Sequence, residues 1–205
     1  MYGEGWTGGE STLPESERGM KINAPRTPGI GMFSDDIRDA VKGHVFYMDE
    51  LGFVNGAADR GEELKQAVTC AKWAKSPMQS INYLSCHDNY TLWDRFIISN
   101  SHESEEMRIR MNKLAAAILF TAQGIPFFLH GEEFARTKIS EADGAPVENS
   151  YCSPLPVNAI DYDRAEQFSD LKAYYKGLIA LRRAHKSFYL DTVDAVSYTH
   201  LRAHE

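Results

Sequence analysis

The feature that most constrains the fold is an abrupt change of character inside the chain. The largely apolar segment 81–84 gives way to the polar run Ser85-Cys86-His87-Asp88-Asn89. A buried strand that ends there places the His87 imidazole and the Asp88 carboxylate at its carboxyl end, where barrel and open α/β enzymes keep their sites. A polar turn is the alternative, because His and Asp also cap helices and stabilise loops. We expect a strand that carries functional side chains at its exit.

A second polar cluster opens the chain, in the sequence Tyr2-Gly3-Glu4-Gly5-Trp6-Thr7-Gly8-Gly9. Glycine lets the backbone approach a ligand, and a carboxyl group beside an indole is an environment in which general acids are found. A glycine-rich turn without chemistry is the alternative. Taken together with His87 and Asp88, the cluster makes Glu4 a candidate catalytic residue.

The motifs Gly-Glu-Gly-Trp and Ser-x-His-Asp-Asn-x-Thr-Leu-Trp-Asp, in this order, resemble the alpha-amylase superfamily, and the nearest match is its type I pullulanase branch. Three more blocks continue the resemblance over roughly residues 1 to 190: Phe33-Ser34-Asp35-Asp36-Ile37-Arg38-Asp39, Gly124-Ile125-Pro126-Phe127 with Gly131-Glu132-Glu133-Phe134, and Val157-Asn158-Ala159-Ile160-Asp161-Tyr162. The resemblance implies a (β/α)8 barrel that splits alpha-1,6-glucosidic bonds in pullulan, starch or glycogen by a retaining mechanism.

The hydrophobic pattern predicts alternating strands and helices. Strands are expected at the chain start, 30–34, 81–84 and 125–130, and helices beginning near Asp35 and at 61–75, 104–124 and 168–184. The last helix is expected to turn inward Leu171, Tyr174, Tyr175, Leu178 and Leu181. Periodicity alone would also permit a doubly wound open sheet. The motifs favour the barrel, here only its second half, strands 5 to 8 with their helices.

The domain boundaries follow from where the resemblance ends. We predict that residues 1–193 form the carboxyl-terminal half of the catalytic domain. Residues 194–205 fit nothing in the family and are interpreted as a non-native tail.

The resemblance assigns roles to three residues. Glu4 matches the general acid/base, and His87 and Asp88 match the pair that hydrogen-bonds the sugar in the −1 subsite. The family's nucleophile is an aspartate in a Gly-Phe-Arg-x-Asp block, which these 205 residues lack. We therefore expect a fragment that is inactive alone and that self-associates through open barrel edges.

Five further residues are candidate substrate-binding groups: Trp6, Asn89, Tyr90, Trp93 and Arg136. The aromatic faces suit the C–H surfaces of sugars, although Trp93 is as consistent with a core position. Arg136 either lines a distal subsite or pairs with Glu132 and Glu133 at the barrel rim.

Composition narrows the partners. The net charge of −7 argues against nucleic acid and an anionic membrane surface and leaves a neutral alpha-glucan acceptable. No apolar run approaches the ~20 residues that span a bilayer. Cys70, Cys86 and Cys152 lack the spacing of a zinc site, so we expect buried free thiols and neither a metal nor another cofactor, with calcium left open. Cytoplasmic and secreted locations both stay open.

Two other functions remain as alternatives. A non-catalytic alpha-glucan-binding module would keep the aromatic residues and Asp88 but would have no need of Glu4. An amylase-type hydrolase that acts on alpha-1,4 bonds would share the same His-Asp and Glu motifs.

Overall fold

The chain forms a four-stranded parallel sheet whose spatial order follows the sequence. The computed structural model describes the backbone of residues 1–202 and the side chains of residues 1–197. The strands are β1 (Tyr2–Gly3), β2 (Gly31–Ser34), β3 (Ser80–Asn82) and β4 (Ile125–Pro126), and each pairs in parallel with the next. A doubly wound sheet reverses its strand order at a switch point. No reversal occurs among these described strands, which is the winding of a barrel.

Helices lie between and after the strands. They are α1 (Asp35–Lys42), α2 (Gly61–Thr69), α3 (Leu92–Ser99), α4 (Glu105–Thr121), α5 (Leu155–Asn158), α6 (Asp163–Gln167), α7 (Ser169–Ala184) and α8 (Val193–Arg202). Asp35 and Asp36 open α1, so the pair forms a helix start, where negative charge complements the helix dipole. Ser104 caps α4 as expected, accepting a hydrogen bond from the Met107 N–H.

Apolar side chains pack on both faces of the sheet. The main core lies between the sheet and the helices and includes Ile37, Val41, Leu84, Leu92, Phe96, Leu119, Phe120, Leu171 and Tyr175. On the other face Phe33 meets the rings of Tyr2, Tyr83 and Phe127 edge to face, with centroid separations of 5.9, 5.2 and 5.2 Å. Apolar side chains on both faces are typical of parallel strands.

The last long helix buries a narrower stripe than the sequence pattern predicted. Leu171, Tyr175 and Leu178 are buried, but Tyr174 and Leu181 remain 38% and 41% exposed. At about 100° per residue these two lie roughly 60–80° to one side of the buried stripe. The prediction that they point inward was wrong.

Other expectations also differ from the structure. Strand β4 covers only Ile125–Pro126 instead of the expected 125–130. Helix α2 ends at Thr69 instead of continuing to residue 75. Helix α3 was not predicted, because its residues Leu92–Ser99 follow directly from the functional motif. The thiols are free, but Cys70 and Cys86 are only half-buried and Cys152 is exposed.

The predicted non-native tail overlaps α8. Within it Val196 is buried, and the preceding segment is held by a hydrogen bond of 2.6 Å from the Ser76 hydroxyl to the Asp191 carbonyl. Residues 203–205 of the predicted tail lie outside the described residues. None of the helices between residues 1 and 202 combines the length and apolar character needed to cross a bilayer.

Candidate active site

The carboxyl ends of the four strands share one edge of the sheet, so the segments that follow them meet there. We call residues 4–9 the β1 exit loop and residues 85–90 the β3 exit loop. A cleft of about 360 Å³ lies between them, lined by Gly5, Trp6, Met20, Lys21, Ile22, Asp35, Arg38, Val45, Phe46, Asp88 and Asn89. The two motifs that the sequence places more than eighty residues apart thus contribute to one cleft.

Close packing supports the indole at this cleft. The Lys21 N–H donates to the Gly5 carbonyl at 2.8 Å, and a Cβ on Gly5 would meet Lys21 Cγ at 2.6 Å. The Lys21 ammonium forms an ion pair with Asp35 and lies 5.3 Å from the centroid of the Trp6 ring. A side chain at position 5 would force Lys21 and Met32 to move, so glycine suits this close packing. Sequence reasoning missed Lys21, because residues 8–28 show no periodic pattern that would place it.

Glu4, the candidate general acid/base, is exposed beside this cleft. Among the described residues its carboxylate has neither a hydrogen bond nor an ion pair. The carboxylate is therefore free to meet a ligand from solvent.

The β3 exit loop is held by contacts from residues 136–158. The Lys138 ammonium donates to the His87 carbonyl at 3.4 Å, and the Asn149 side chain accepts from the Asn89 N–H at 2.8 Å. Asn89 has a φ of 57°, in the left-handed region that Asn tolerates better than most residues. Within the loop the Cys86 thiol donates to the Asp88 carboxylate. Burial and this hydrogen bond raise the pKa of Cys86 to about 12.

A buried carboxylate supports these contacts between residues 136–158 and the β3 exit loop. Asp94, fully buried on α3, accepts hydrogen bonds from the Thr137 hydroxyl and, at 2.9 Å, from the Lys138 N–H. The Lys138 ammonium also donates a hydrogen bond to the Ser150 hydroxyl at 2.8 Å. Desolvation by burial lowers the pKa of Lys138, and the Asp94 charge opposes that shift.

A second buried carboxylate lies behind the loop. Glu132, 3% exposed after β4, accepts hydrogen bonds from the Ser85 hydroxyl and, at 3.2 Å, from the Tyr175 hydroxyl. Burial raises the pKa of Glu132 to about 7, opposed by these donors and by the nearby Lys42 ammonium. Burial in turn lowers the pKa of Lys42 to about 8. Glu132 therefore ties the β3 exit loop to α7 and is enclosed away from the cleft.

Arg38 lines the cleft and is hydrogen-bonded to the segment that follows β3. Its guanidinium pairs with Asp39 through two hydrogen bonds of 2.6 and 3.1 Å and donates to the Tyr83 hydroxyl at 2.7 Å. With 8% exposure it is one of the few charged side chains buried at this edge. Such charge-assisted, bidentate bonds fix the side chain in place.

The structure sorts the predicted site residues into two groups. Trp6, His87, Asp88, Asn89 and Tyr90 are exposed or half-buried around the β1 and β3 exit loops. Trp93 is 4% exposed, and its ring packs 5.2 Å from that of Phe168. Trp93 is therefore a core residue in this structure and offers no face to a sugar.

Arg136 contacts backbone carbonyls at the rim instead of the two glutamates that the sequence suggested as partners. Its guanidinium donates to the backbone carbonyls of His130 at 3.0 Å and Asn158 at 2.7 Å. No ion pair joins it to Glu132 or Glu133 within the described part of the chain. Its visible role is to fasten two loops at the rim.

Comparison with known proteins gives a consistent set of relatives. No protein-family model matches the chain. The pullulanase of Bacillus subtilis (strain 168) is 39% identical over 197 residues, which cover 93% of this chain and 26% of that protein. Pullulanase 1, chloroplastic, of Arabidopsis thaliana is 32% identical over 215 residues, covering 79% and 21% of the two chains. The chain thus spans about a quarter of the length of these curated relatives.

Solved structures give the same picture. A pullulanase from Anoxybacillus sp. LM18-11, in complex with maltotriose, matches with a TM-score of 0.90 and 41% identity over 96% of this chain and 27% of that one. A pullulanase from Paenibacillus barengoltzii, in complex with maltohexaose and alpha-cyclodextrin, matches with a TM-score of 0.86 and 44% identity over 95% and 30%. The fold prediction, the second half of a (β/α)8 barrel, is confirmed.

Proposed function

Because the chain is homologous to a segment of the pullulanases, we propose that it is part of a glycoside hydrolase that cleaves alpha-1,6-glucosidic linkages in pullulan, starch or glycogen by a retaining mechanism. The cleft between the β1 and β3 exit loops carries this proposal, because it combines Trp6, Asp88 and Asn89 beside the exposed Glu4. Complexes of related pullulanases with maltotriose and maltohexaose support an alpha-glucan as the ligand.

The roles within the site follow from retaining chemistry, in which a general acid/base and a nucleophilic carboxylate stand about 5 to 5.5 Å apart. Glu4 donates a proton to the leaving oxygen and later accepts one from water. His87 and Asp88 hydrogen-bond the hydroxyl groups of the sugar, where such bonds strengthen as positive charge develops on the ring. The nucleophile is an aspartate outside this sequence, since the 205 residues contain no Gly-Phe-Arg-x-Asp block.

Trp6 and Tyr90 are the proposed stacking surfaces, and Asn89 is a polar contact in the cleft. The burial of Trp93 against Phe168 favours a core role for that residue. The hydrogen bonds of Arg136 to two backbone carbonyls support a role in positioning loops. We also propose that residues 1–193 form the functional unit and that 194–205 contribute nothing to glucan binding.

The experiment measures reducing-sugar release from pullulan by this chain alone and after co-refolding with the upstream half of the Bacillus subtilis pullulanase. We expect no release from the chain alone and release after complementation. Release from the chain alone would assign the nucleophile to an aspartate of this sequence and overturn the roles given above. Glucan binding without release in either case would favour the non-catalytic module, and release from amylose in preference to pullulan would favour the alpha-1,4 alternative.

A further proposal concerns the sheet edges. Strand β1 pairs only with β2, and β4 only with β3, within the described residues. Met1 and Tyr2 are 95% and 60% exposed at one edge, and Ile125 is 37% exposed at the other. Unpaired edges with apolar side chains favour self-association. Size-exclusion chromatography tests this, and a monodisperse monomer would contradict it.

A further inference from the structure

Three different metal-binding side chains converge in the β3 exit loop. Successive side chains of a strand point to opposite faces, which would separate Cys86 from His87. The chain instead bends at residues 87–89. One ligand atom each from Cys86, His87 and Asp88 then lies within 4.8 Å of the others.

These atoms are a sulfur, an imidazole nitrogen and a carboxylate oxygen, the set that zinc binds at about 2.3, 2.0–2.1 and 2.0–2.2 Å. Around a tetrahedral ion such ligands stand roughly 3.3–3.6 Å apart. We expect rotation of the side chains to close the remaining difference. His87 is exposed and Cys86 and Asp88 are half-buried, so the fourth position of an ion would face the cleft and solvent.

We propose that Cys86, His87 and Asp88 bind a thiophilic divalent cation of the zinc class, and that the bound cation excludes a glucan from His87 and Asp88. The second statement rests on the proposed function, whereas the first does not. On binding, the hydrogen bond from Cys86 to Asp88 breaks, the thiol proton passes to solvent, and a sulfur–metal bond forms. A bound cation is thus an inhibitor, since it engages the two residues that contact the sugar.

The charges around the loop set the type of ion. The Lys138 ammonium interacts with Cys86 and Asp88, and Lys42 interacts with Cys86. Both positive charges oppose any cation, so binding depends on the covalent character of the metal–thiolate bond. Hard cations such as calcium and magnesium prefer sites built from oxygen ligands and are not expected here. The cysteine spacing gave no sign of this site, because only one cysteine belongs to it.

Titration of this chain with Cd²⁺ tests the first statement through the ultraviolet absorption of the cadmium–thiolate bond. We expect one equivalent to produce the band, and Cys86→Ser to abolish it. Cys152→Ser removes an exposed thiol elsewhere and is the matched control, which should leave the band unchanged. A band that persists in Cys86→Ser and disappears in Cys152→Ser would overturn the proposal.

His87→Ala distinguishes a built site from capture by a single thiol. The side chain is exposed, so folding should not depend on it. We expect a large loss of Cd²⁺ affinity in His87→Ala and also in Asp88→Asn, with circular dichroism unchanged. Wild-type affinity in both variants would mean that Cys86 binds the metal alone, which contradicts the three-ligand site. This comparison also decides the matter if Cys86→Ser does not fold.

Competition tests the second statement. Maltotriose binding is measured by calorimetry with and without saturating Zn²⁺, using the complemented protein. Zinc should weaken maltotriose binding in the wild type and have no effect in Cys86→Ser. Metal binding without competition would remove the sugar contacts of His87 and Asp88 from the proposed function while leaving the metal site intact. If zinc weakened maltotriose binding but Cd²⁺ produced no thiolate band, the three-ligand site would be wrong. The sugar contacts of His87 and Asp88 would then stand.

Discussion

The two functional strand exits differ in how the chain holds them. The β3 exit loop is fixed by Lys138 and Asn149 and rests on the buried carboxylates of Asp94 and Glu132. The β1 exit loop has an exposed Glu4 without polar contacts among the described residues, and its packing comes mainly from Lys21 against Gly5. The proposed sugar-binding groups therefore stand on a preorganised support, whereas the proposed proton-transfer group has no such support.

This difference separates function from stability. Groups that bind a transition state work best when their orientation is fixed before the ligand arrives. A carboxylate without partners contributes little to folding, so its replacement should affect chemistry alone. The same reasoning predicts that changes beneath the β3 exit loop act first on stability.

The largest expected effect is on turnover. Glu4→Gln in the complemented protein should lower the rate of pullulan hydrolysis by about 10²–10⁴-fold, because general acid/base catalysis contributes that much. Glucan binding should be retained. Its free energy of unfolding should change by less than about 0.5 kcal/mol, as for other exposed sites.

Glu10→Gln is the matched control, since Glu10 is also exposed and lies in the next segment of the chain. It should alter neither rate nor stability. Equal rates for Glu4→Gln and the wild type would mean that Glu4 is not catalytic. The contrast between the two exit loops would then have no bearing on catalysis.

The second effect is on stability. Asp94→Asn replaces two oxygens that accept from Thr137 and Lys138 with one oxygen and one amide group that can only donate. An unsatisfied buried donor and the loss of a charge-assisted bond should lower the free energy of unfolding by about 2–3 kcal/mol. Urea denaturation measures the change.

Asp49→Asn, on an exposed segment, is the control and should stay within about 0.5 kcal/mol of the wild type. If Asp94→Asn were equally mild, the β3 exit loop would not depend on its buried support, and the contrast with the β1 exit loop would disappear.

These residues also show what the sequence could and could not predict. Glu4, His87 and Asp88 stand at strand exits and belong to contiguous motifs, so pattern and resemblance were enough to nominate them as candidates. The apolar segments predicted alternating strands and helices, and the motifs favoured the barrel over an open sheet. Lys138 and Asn149 lie in a segment without periodicity, and their partners are about fifty and sixty residues away. Only the folded chain brings such pairs together.

Trp93 shows the opposite limit. An aromatic residue near the end of a sequence motif has the same appearance whether it faces a ligand or the core. Helix α3 begins at Leu92 and turns Trp93 towards Phe168. The signal that could have settled its place was Thr91, whose side chain caps this helix by accepting from the Asp94 N–H at 3.1 Å.

The third effect depends on pH. A carboxyl group whose pKa is raised in the folded state holds its proton more tightly there than in the unfolded chain, so stability falls as pH rises from the unfolded pKa to the folded one. For Glu132 that window runs from 4.5 to about 7. The glutamine side chain of the Glu132→Gln variant cannot titrate, so the stability of the variant does not fall in this way as pH rises. Relative to the variant, the wild type should therefore lose on the order of 2 kcal/mol between pH 5 and pH 7.5.

Urea unfolding of both proteins across that range gives the difference directly. Lys42 does not obscure it, since burial lowers its pKa only to about 8 and its stabilising change begins above that pH. Glu133→Gln, half-buried on the next residue, is the control and should parallel the wild type. A constant difference between wild type and Glu132→Gln would mean that burial does not raise the pKa of Glu132 in the folded protein.

The smallest expected effect concerns the backbone of the β3 exit loop. Asn89 has a left-handed φ of 57°, a conformation that costs alanine roughly 1–2 kcal/mol and glycine almost nothing. Asn89→Ala should therefore be about 1 kcal/mol less stable than Asn89→Gly, although both remove the same side chain. The N–H that donates to Asn149 survives in each variant, so the difference reports backbone strain and not a lost hydrogen bond. If the two variants were equally stable, the loop would have relaxed to another conformation. The contacts from residues 136–158 would then not hold the β3 exit loop rigidly. The contrast with the β1 exit loop would be weaker than described above.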